Sequence, residues 1–264
     1  MNNQEKVTVV TVCYNCREDL QKTLISVISQ KYTNIEYIII DGGSTDGSLE
    51  IIKAHQSNIT KWISEPDNGI YDAMNKGIEL ATGEWILFMN AGDVFHDDSV
   101  LDKIFNRSFS DNTAIIYGDV ELDFGNGRKL ERKLNNFTQE TVISDLCHQG
   151  LLTRTSVLKD IKYDTNYWIC ADLDSFVKIN AMGKDFVYVP ILIATFEVTD
   201  GISSNYPFRS LIERKRIHGY RYLSRIYLKS SIKALIRYTL LKLLPKDFYD
   251  YWRYNKVKNI SRYK

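Results

Sequence analysis

The sequence predicts an α/β fold, with a mostly parallel sheet and helices on both faces. Two observations carry this. Over the first 90 residues, short runs rich in Val and Ile alternate with segments whose apolar residues recur at helical spacing. The runs themselves are almost continuously apolar, as in strands buried on both faces.

The elements follow in order. VTVVTV at 7–12 is the first strand, and CYNCRED follows as a loop. DLQKTLISVISQ places Leu20, Leu24, Val27 and Ile28 on one helical face. IEYIIID at 35–41 is the second strand, closed by the turn-rich GGSTDGS. SLEIIKAHQ reads as a helix, Trp62 and Ile63 as a short strand, and IYDAMNKGIELA at 70–81 as a helix with Gly83 as its stop signal. EWILFMN at 84–90 is the fourth strand. This β-α-β-α-β-α-β order implies the parallel sheet. Further on, AIIYGDVEL and RKLERKL are expected as a hairpin around FGNG. CHQGLLTRTSVL reads as strand then helix, ADLDSFVKINAMG as a helix, and VYVPILIATFEV as closing strands.

Composition sets bounds. The chain has 264 residues, 44% hydrophobic and 25% charged, enough for one sizeable core. With four prolines and no low-complexity tract, no long disordered segment is expected. The N-terminus has neither the basic nor the apolar stretch of a secretion signal, so none is expected. Cys13, Cys16, Cys147 and Cys170 are few and unevenly spaced, which suits a reducing compartment. A second C-x-x-C is missing, so Cys13 and Cys16 do not suggest zinc.

The near-zero net charge hides an asymmetry. Residues 206–264 hold 16 Lys/Arg against 3 Asp/Glu, whereas 1–205 hold 18 against 30. A boundary is therefore placed at 205, with the α/β domain over 1–205 and a basic, aromatic-rich helical tail over 206–264. The tail calls for an anionic partner.

Neither a P-loop nor a G-x-G-x-x-G pattern is present, so ATP hydrolysis and dinucleotide binding are not expected. What remains is acids at strand ends: Asp41, Asp67, Asp93, Asp172 and Asp174. In open α/β sheets ligands bind beyond the carboxyl ends of the strands. Acids beside an anionic nucleotide make sense when a divalent cation bridges carboxylate and diphosphate. Asp41 has another use, accepting hydrogen bonds from a base or ribose.

TVCYN, IIIDGGSTDGS and EPDNGIYDAMNKGIELATGEWILFMNAGD together resemble family 2 glycosyltransferases of the GT-A fold, over roughly residues 6–200. The run from 65 to 93 is the most specific part. CHQG and YDTNYWICADLDSF resemble segments of bacterial enzymes that build O-antigen, capsule and exopolysaccharide repeat units. The resemblance implies a role for each residue. Thr11 and Tyr14 would line the nucleotide pocket, and Asp41 would hydrogen-bond the uracil or ribose of a UDP-sugar. Asp67 and Asn68 would lie against base and ribose, with Asn75 and Lys76 near the donor. Asp93 would ligate Mn²⁺ or Mg²⁺ on the diphosphate. Asn90 stands where many members carry an acid, and serves either as a weaker ligand or as a ribose contact. His148 and Gln149 would hold acceptor or donor hydroxyls. Asp172 occupies the catalytic-base position; Asp174 is the weaker candidate. A Q-x-x-R-W segment is missing, so one sugar is expected per encounter. The implied activity is inverting transfer of a hexose, from UDP-glucose or UDP-galactose, to a polyprenyl-pyrophosphate-linked saccharide. Two other readings stand beside it: a non-catalytic nucleotide-sugar-binding relative, and a nucleotidyltransferase. CYNCRED is not the basic glycine-rich loop that the latter needs.

Other residues carry plain structural expectations. Asp46 and Gly47 form a turn, Asp97 and Asp98 start a helix, Cys13 fills space, and Tyr71 and Met74 belong to the core.

In the tail, residues 226–244 form a helix about 28 Å long. Lys229, Lys233 and Arg237 make a cationic stripe, with Leu228, Ile232, Leu235, Ile236 and Leu243 largely off it. Its nine Leu/Ile favour insertion by about 4–5 kcal/mol, while Lys233 and Arg237 near the centre cost about 6. The helix is thus expected to lie in a membrane interface rather than to cross it. Tyr220, Tyr222, Tyr227, Tyr238, Tyr249, Tyr251, Trp252 and Tyr254 would suit the headgroup layer. No recognition motif for nucleic acid accompanies the charge. The expected location is cytoplasmic, peripheral on the inner face of the plasma membrane.

Overall fold

The computed structural model describes residues 4–135, 143, 145–199, 205–219 and 225–258. The expected boundary near 205 abuts residues 200–204, and Tyr220, Tyr222 and the side chain of Tyr227 likewise lie outside the described residues.

Four parallel strands form the first half of a nine-stranded sheet: β1 (Val7–Cys13), β2 (Ile35–Asp41), β3 (Lys61–Ser64) and β4 (Trp85–Phe88). Their spatial order is β3-β2-β1-β4. Alternate residues of β1 face opposite layers. Val7, Val9 and Cys13 meet Leu20, Leu24 and Val27 of α1 (Arg17–Ile28) and Ile51 and Ile52 of α2 (Ser48–Ala54). Val10 and Val12 meet Met74 and Ile78 of α3 (Ile70–Leu80). Each of these side chains removed from water contributes roughly 1.5–3 kcal/mol. A Cβ at Gly77 would come 2.5 Å from Val10 Cγ1, so this glycine lets α3 seat closely on β1.

The chain thus winds outward from β1 with α1 and α2 on one face. It then crosses back over the opposite face through α3 to reach β4. The winding reverses between β1 and β4, the position where a crevice opens beyond the strand ends.

The expected helix over 48–56 ends at Ala54, and a 3₁₀ turn occupies Gln56–Asn58. The strand expected over 84–90 ends at Phe88; the N–H groups of Met89 and Ala91 still bond the Val10 and Val12 carbonyls of β1 before the chain turns at 91–92.

The second half adds β5 (Val94–Phe95), β6 (Thr113–Asp123), β7 (Lys129–Arg132), β8 (Leu151–Arg154) and β9 (Asp185–Glu197). β8 inserts antiparallel between β4 and β6, and β9 runs parallel to β6 as one long strand rather than several. α4 (Val100–Ile104) follows a turn in which Asp97 accepts from the Ser99 backbone N–H and hydroxyl. α5 (Thr155–Ile161) and α6 (Ala171–Ala181) complete the unit.

Among the described residues the tail forms three helices: α7 (Pro207–His218), α8 (Arg225–Leu243) and α9 (Lys246–Lys258). α9 packs on the sheet. The Tyr254 ring lies 5.7 Å from Phe124, Arg253 Nη1 donates to the Val198 carbonyl at 2.7 Å, and Tyr249 is buried. This corrects the expectation that Tyr249 and Tyr254 are free for a headgroup layer. α8 differs: Leu228, Ile232, Leu235, Ile236 and Leu243 are all exposed, Leu243 by 74%. Among the described residues no helix is long and apolar enough to cross a membrane.

Candidate active site

The crevice at the carboxyl ends of β1 and β4 is built from four stretches. The first two are tied together. Asn15, held at φ +48°, accepts the Thr45 N–H through Oδ1, and its own N–H donates to Ser44 Oγ. Asp41 ends β2 fully buried. Its carboxylate accepts from the Ser44 N–H (3.1 Å), from Ser64 Oγ (2.6 Å) and from the Cys13 thiol (3.5 Å). The Asp41 oxygens therefore order the loop that follows β2 and tie it to the end of β3. Asp46 accepts from the backbone N–H groups of Arg17 and Ser48, the turn role expected of it.

Tyr14 stands 64% exposed at the rim. A Cβ on Gly42 would lie 2.5 Å from Asp67 Oδ2 and 3.2 Å from the Tyr14 ring. Tyr14, Gly42 and Asp67 thus converge, with the absent side chain of residue 42 leaving room. Asp67 Oδ1 accepts the Gly69 N–H at 2.8 Å, and the exposed Asn68 donates its N–H to Asp72.

Three residues expected near a donor are engaged within the protein. Thr11 is buried and bonds the Met89 carbonyl and Tyr37 hydroxyl. Asn75 grips the backbone of Tyr163 through both its amide atoms, at 2.9 Å each. Lys76 pairs with Glu65 at 2.8 Å and donates to the Pro66 carbonyl.

The remaining residues form one constellation. The turn Asn90–Asp93 passes through Gly92 at φ +101°, a conformation that glycine adopts without strain. Thr23 of α1 fixes this turn. Its hydroxyl bonds the carbonyls of Asn90 (3.2 Å) and Asp93 (2.7 Å) and accepts the Gly92 N–H (2.9 Å). His148 opens the 3₁₀ turn His148–Gly150 and lies between two carboxylates. Its Nε2 is 4.0 Å from Asp93 Oδ2, and its Nδ1 is 3.6 Å from Asp172 Oδ2. Asn90 Nδ2 donates to Nε2 at 3.0 Å, which leaves the ring proton on Nδ1, toward Asp172. Gln149 Nε2 reaches Asp93 Oδ1 at 3.4 Å.

Burial pushes the Asp93 carboxyl up to about 6; His148 and the Gln149 hydrogen bond oppose it but do not cancel it. A neighbouring atom is also uncompensated: Asn90 Oδ1 is buried without a hydrogen-bond partner. A buried carboxylate beside an orphaned amide oxygen fits a hard divalent cation, which takes oxygen ligands. Among the described residues no three His, Cys, Asp or Glu side chains converge as a complete ligand set, so further oxygens would have to come from a diphosphate and water.

Asp172 sits in the first turn of α6, partly open to the crevice. Its Oδ1 accepts the Leu173 N–H at 2.8 Å and the Tyr71 hydroxyl at 3.3 Å; that hydroxyl also donates to the Ile169 carbonyl at 2.7 Å. Burial, and then the charge of Asp172, push the Tyr71 hydroxyl well above its ordinary range, so it stays a donor. Tyr71 is core, as expected, but it also touches Asp172, which the spacing of α3 alone does not reveal. Asp174 points away into an ion pair with Lys178 at 2.7 Å.

The sequence model of a family described as Glycosyl transferase family 2 matches residues 8–165. A PGL/p-HBAD biosynthesis glycosyltransferase from Mycobacterium bovis is 26% identical over 220 residues, covering 78% of this chain and 82% of its own. An uncharacterised glycosyltransferase of Mycobacterium tuberculosis is 30% identical over 213 residues, covering 78% of this chain and 79% of its own. Among solved structures, S. aureus TarS 1–349 in complex with UDP-GlcNAc matches with a TM-score of 0.66 at 17% identity, over 94% of this chain and 79% of that one. This chain spans 43% of the longer TarS chain. The mannosyltransferase PcManGT from Pyrobaculum calidifontis, in complex with GDP-Man and Mn²⁺, matches with 0.65 at 16%, over 98% and 88%.

Proposed function

Since the chain belongs to glycosyl transferase family 2, we propose that it is an inverting, divalent-metal-dependent hexosyltransferase that moves one sugar from a UDP-sugar, UDP-glucose or UDP-galactose, to a lipid-pyrophosphate-linked saccharide. The observation that carries the reading is the single imidazole of His148 set between Asp93 and Asp172. One carboxylate suits the diphosphate end of a donor, and the other suits an incoming hydroxyl. The glycosyltransferase relatives support sugar transfer as the reaction. The structural neighbours bound to UDP-GlcNAc and to GDP-Man with Mn²⁺ support a nucleotide-sugar donor and a metal.

Asp172 takes the proton of the acceptor hydroxyl as its oxygen forms a bond to the anomeric carbon. The bond from that carbon to the diphosphate breaks, and UDP leaves with the electron pair. Inversion follows from attack opposite the leaving group, as when a base-activated water inverts a glycoside. Asp93, with Asn90 Oδ1, would hold Mn²⁺ or Mg²⁺, which supplies Lewis-acid stabilisation of the departing diphosphate. His148 aims its Nδ1 proton at Asp172 and Tyr71 donates to the same carboxylate, so the base is held in place. Tyr14 offers an exposed ring to the nucleotide base, with Asp67 beside it.

The acceptor proposal is supported by α8. Five exposed Leu and Ile side chains lie beside the exposed cations Lys229, Lys233 and Lys242, an arrangement that suits an anionic membrane surface. The enzyme then works peripherally on the cytoplasmic face of the plasma membrane, in surface-polysaccharide synthesis.

The test is UDP release across a panel of UDP-sugars, with Mn²⁺ or EDTA and a synthetic lipid-pyrophosphate monosaccharide. Wild type runs beside Asp93→Ala and Asp172→Asn. Metal-dependent release with one donor, lost in both variants, is expected. Release that persists in Asp172→Asn at the wild-type rate refutes the mechanism. Saturable UDP binding without transfer to any acceptor favours a binding protein instead.

A further inference from the structure

Glu213 is the sole acid between residues 206 and 246 of the basic tail, and it is 4% exposed. It lies on α7, yet three of its four hydrogen bonds are to the segment that leads into α6. Oε1 accepts the Trp168 N–H at 3.0 Å, and Oε2 accepts those of Ile169 (2.9 Å) and Cys170 (3.0 Å). Arg209, one turn earlier on α7, donates to Oε1 at 2.9 Å. Cys170 is the N-cap of α6, and no side chain of that helix's own cap accepts a hydrogen bond. The first N–H groups of a helix need an acceptor when buried. Here the acceptor for the cap comes from a helix 43 residues further along the chain.

We propose that Glu213 is a positioning residue for Asp172, so that the tail completes the active site as well as extending it. The argument rests on the reading of Asp172 as the proton acceptor. Three successive N–H groups bound to one carboxylate fix the backbone of 168–170, and Asp172 stands two residues beyond. From the opposite side the Tyr71 hydroxyl binds the Ile169 carbonyl and Asp172 itself. The segment is therefore gripped by the tail on one flank and by α3 on the other. The rings of Trp168 and Tyr206 meet at 4.7 Å and Arg209 lies 5.7 Å over Trp168, which locks α7 to the same segment. A carboxylate that must meet an acceptor hydroxyl within hydrogen-bond reach tolerates little displacement. A shift of about 1 Å costs up to ~100-fold in rate.

The experiment uses the full chain, with Glu213→Ala and Glu213→Gln beside wild type, Arg209→Ala and Asp172→Asn. Amide hydrogen exchange over 167–173, the UDP dissociation constant and kcat against KM for the donor are measured. In Glu213→Ala the amides of 168–170 should lose protection and kcat should fall roughly 10–100-fold, with UDP affinity and donor KM within about twofold. Glu213→Gln, with one accepting oxygen, should fall between, and decides the matter if the alanine variant does not fold. Arg209→Ala should lose part of that protection, because Arg209 holds Glu213 Oε1 and covers the Trp168 ring. Unchanged protection in both Glu213 variants overturns the clamp. Lost protection with kcat within about twofold of wild type overturns the positioning role, as does a parallel fall in UDP affinity. If Asp172→Asn transfers sugar like wild type, it is the proton-acceptor reading that fails, and the exchange data still decide the clamp.

Discussion

Glu36→Gln should weaken the fold and leave the chemistry alone. Glu36 lies on β2 at the end of the sheet away from the crevice, 2% exposed at its side chain. Its carboxylate accepts from the Thr82 N–H (2.6 Å) and hydroxyl (2.7 Å) and from Thr8 Oγ1 (2.7 Å), with Lys6 Nζ at 3.3 Å. Burial alone would raise its pKa. The Thr82 and Thr8 bonds and Lys6 outweigh it and lower the group from 4.5 to about 2. A depressed carboxylate contributes stability that is fully present above its unfolded value and is lost as pH falls toward the folded one. At about 1.4 kcal/mol per unit, the contribution is about 3 kcal/mol near pH 7 and less than half of that near pH 3. Urea unfolding of wild type and Glu36→Gln at pH 7.5 and pH 3 reads the difference directly. The gap should narrow on acidification, while kcat and donor KM at pH 7.5 stay within about twofold of wild type. A gap of equal size at both pH values would show that packing, rather than the charge, is what the glutamine loses. A matching fall in kcat would refute the separation of the sheet into a structural end and a reactive end.

Tyr71→Phe leaves the Ile169 carbonyl without its donor and takes one bond from Asp172, so stability should drop about 1–3 kcal/mol and kcat several-fold, with UDP affinity unchanged by calorimetry. Thr23→Val frees the Asn90–Asp93 turn from three hydrogen bonds; the Mn²⁺ concentration for half-maximal activity should rise, and an unchanged midpoint would deny that Thr23 shapes the metal end. Gly42→Ala drives a methyl to within 2.5 Å of Asp67 Oδ2, and UDP binding should weaken at least tenfold with little change in Tm. Ile232→Glu with Leu235→Glu should abolish sedimentation with anionic vesicles yet shift stability by no more than about 0.5 kcal/mol, because both side chains are already exposed.

Much of the first half of the fold could be read from periodicity. The Val/Ile runs at 7–12 and 35–41 have no polar face, and Leu20, Leu24 and Val27 recur at helical intervals, so strands and helix announce themselves. The Asn90–Asp93 turn was legible because an apolar run stops there at an amide, a glycine and an acid. What periodicity does not carry is where a polar atom finds its partner. Asp41 at a strand end looks available to a ligand, but Ser44 and Ser64 claim its oxygens. Asn75 and Lys76 look like donor contacts in the same way, yet bond Tyr163 and Glu65. The antiparallel insertion of β8 between β4 and β6 leaves no local trace, since register across 70 residues is a tertiary fact. In the tail, summed charge hid the one acid that matters, and aromatic content could not separate Tyr249 and Tyr254, which pack inward, from Tyr251, half exposed.

The mounting of α8 has a consequence for reach. The Tyr238 ring meets Phe208 of α7 at 5.4 Å, and Arg237 Nε donates to the Tyr249 hydroxyl of α9 at 3.2 Å. α7 is bolted to the segment before Asp172 and α9 to the β6–β7 hairpin. A helix braced between two such supports cannot swing independently of the sheet. A surface touched by its apolar edge therefore meets the protein at one tilt, and the crevice stands at one height above that surface. With the lipid-linked acceptor proposed above, such a scaffold would act as a ruler. It would admit a saccharide end at a set distance from its lipid, and each added sugar would carry that end out of range.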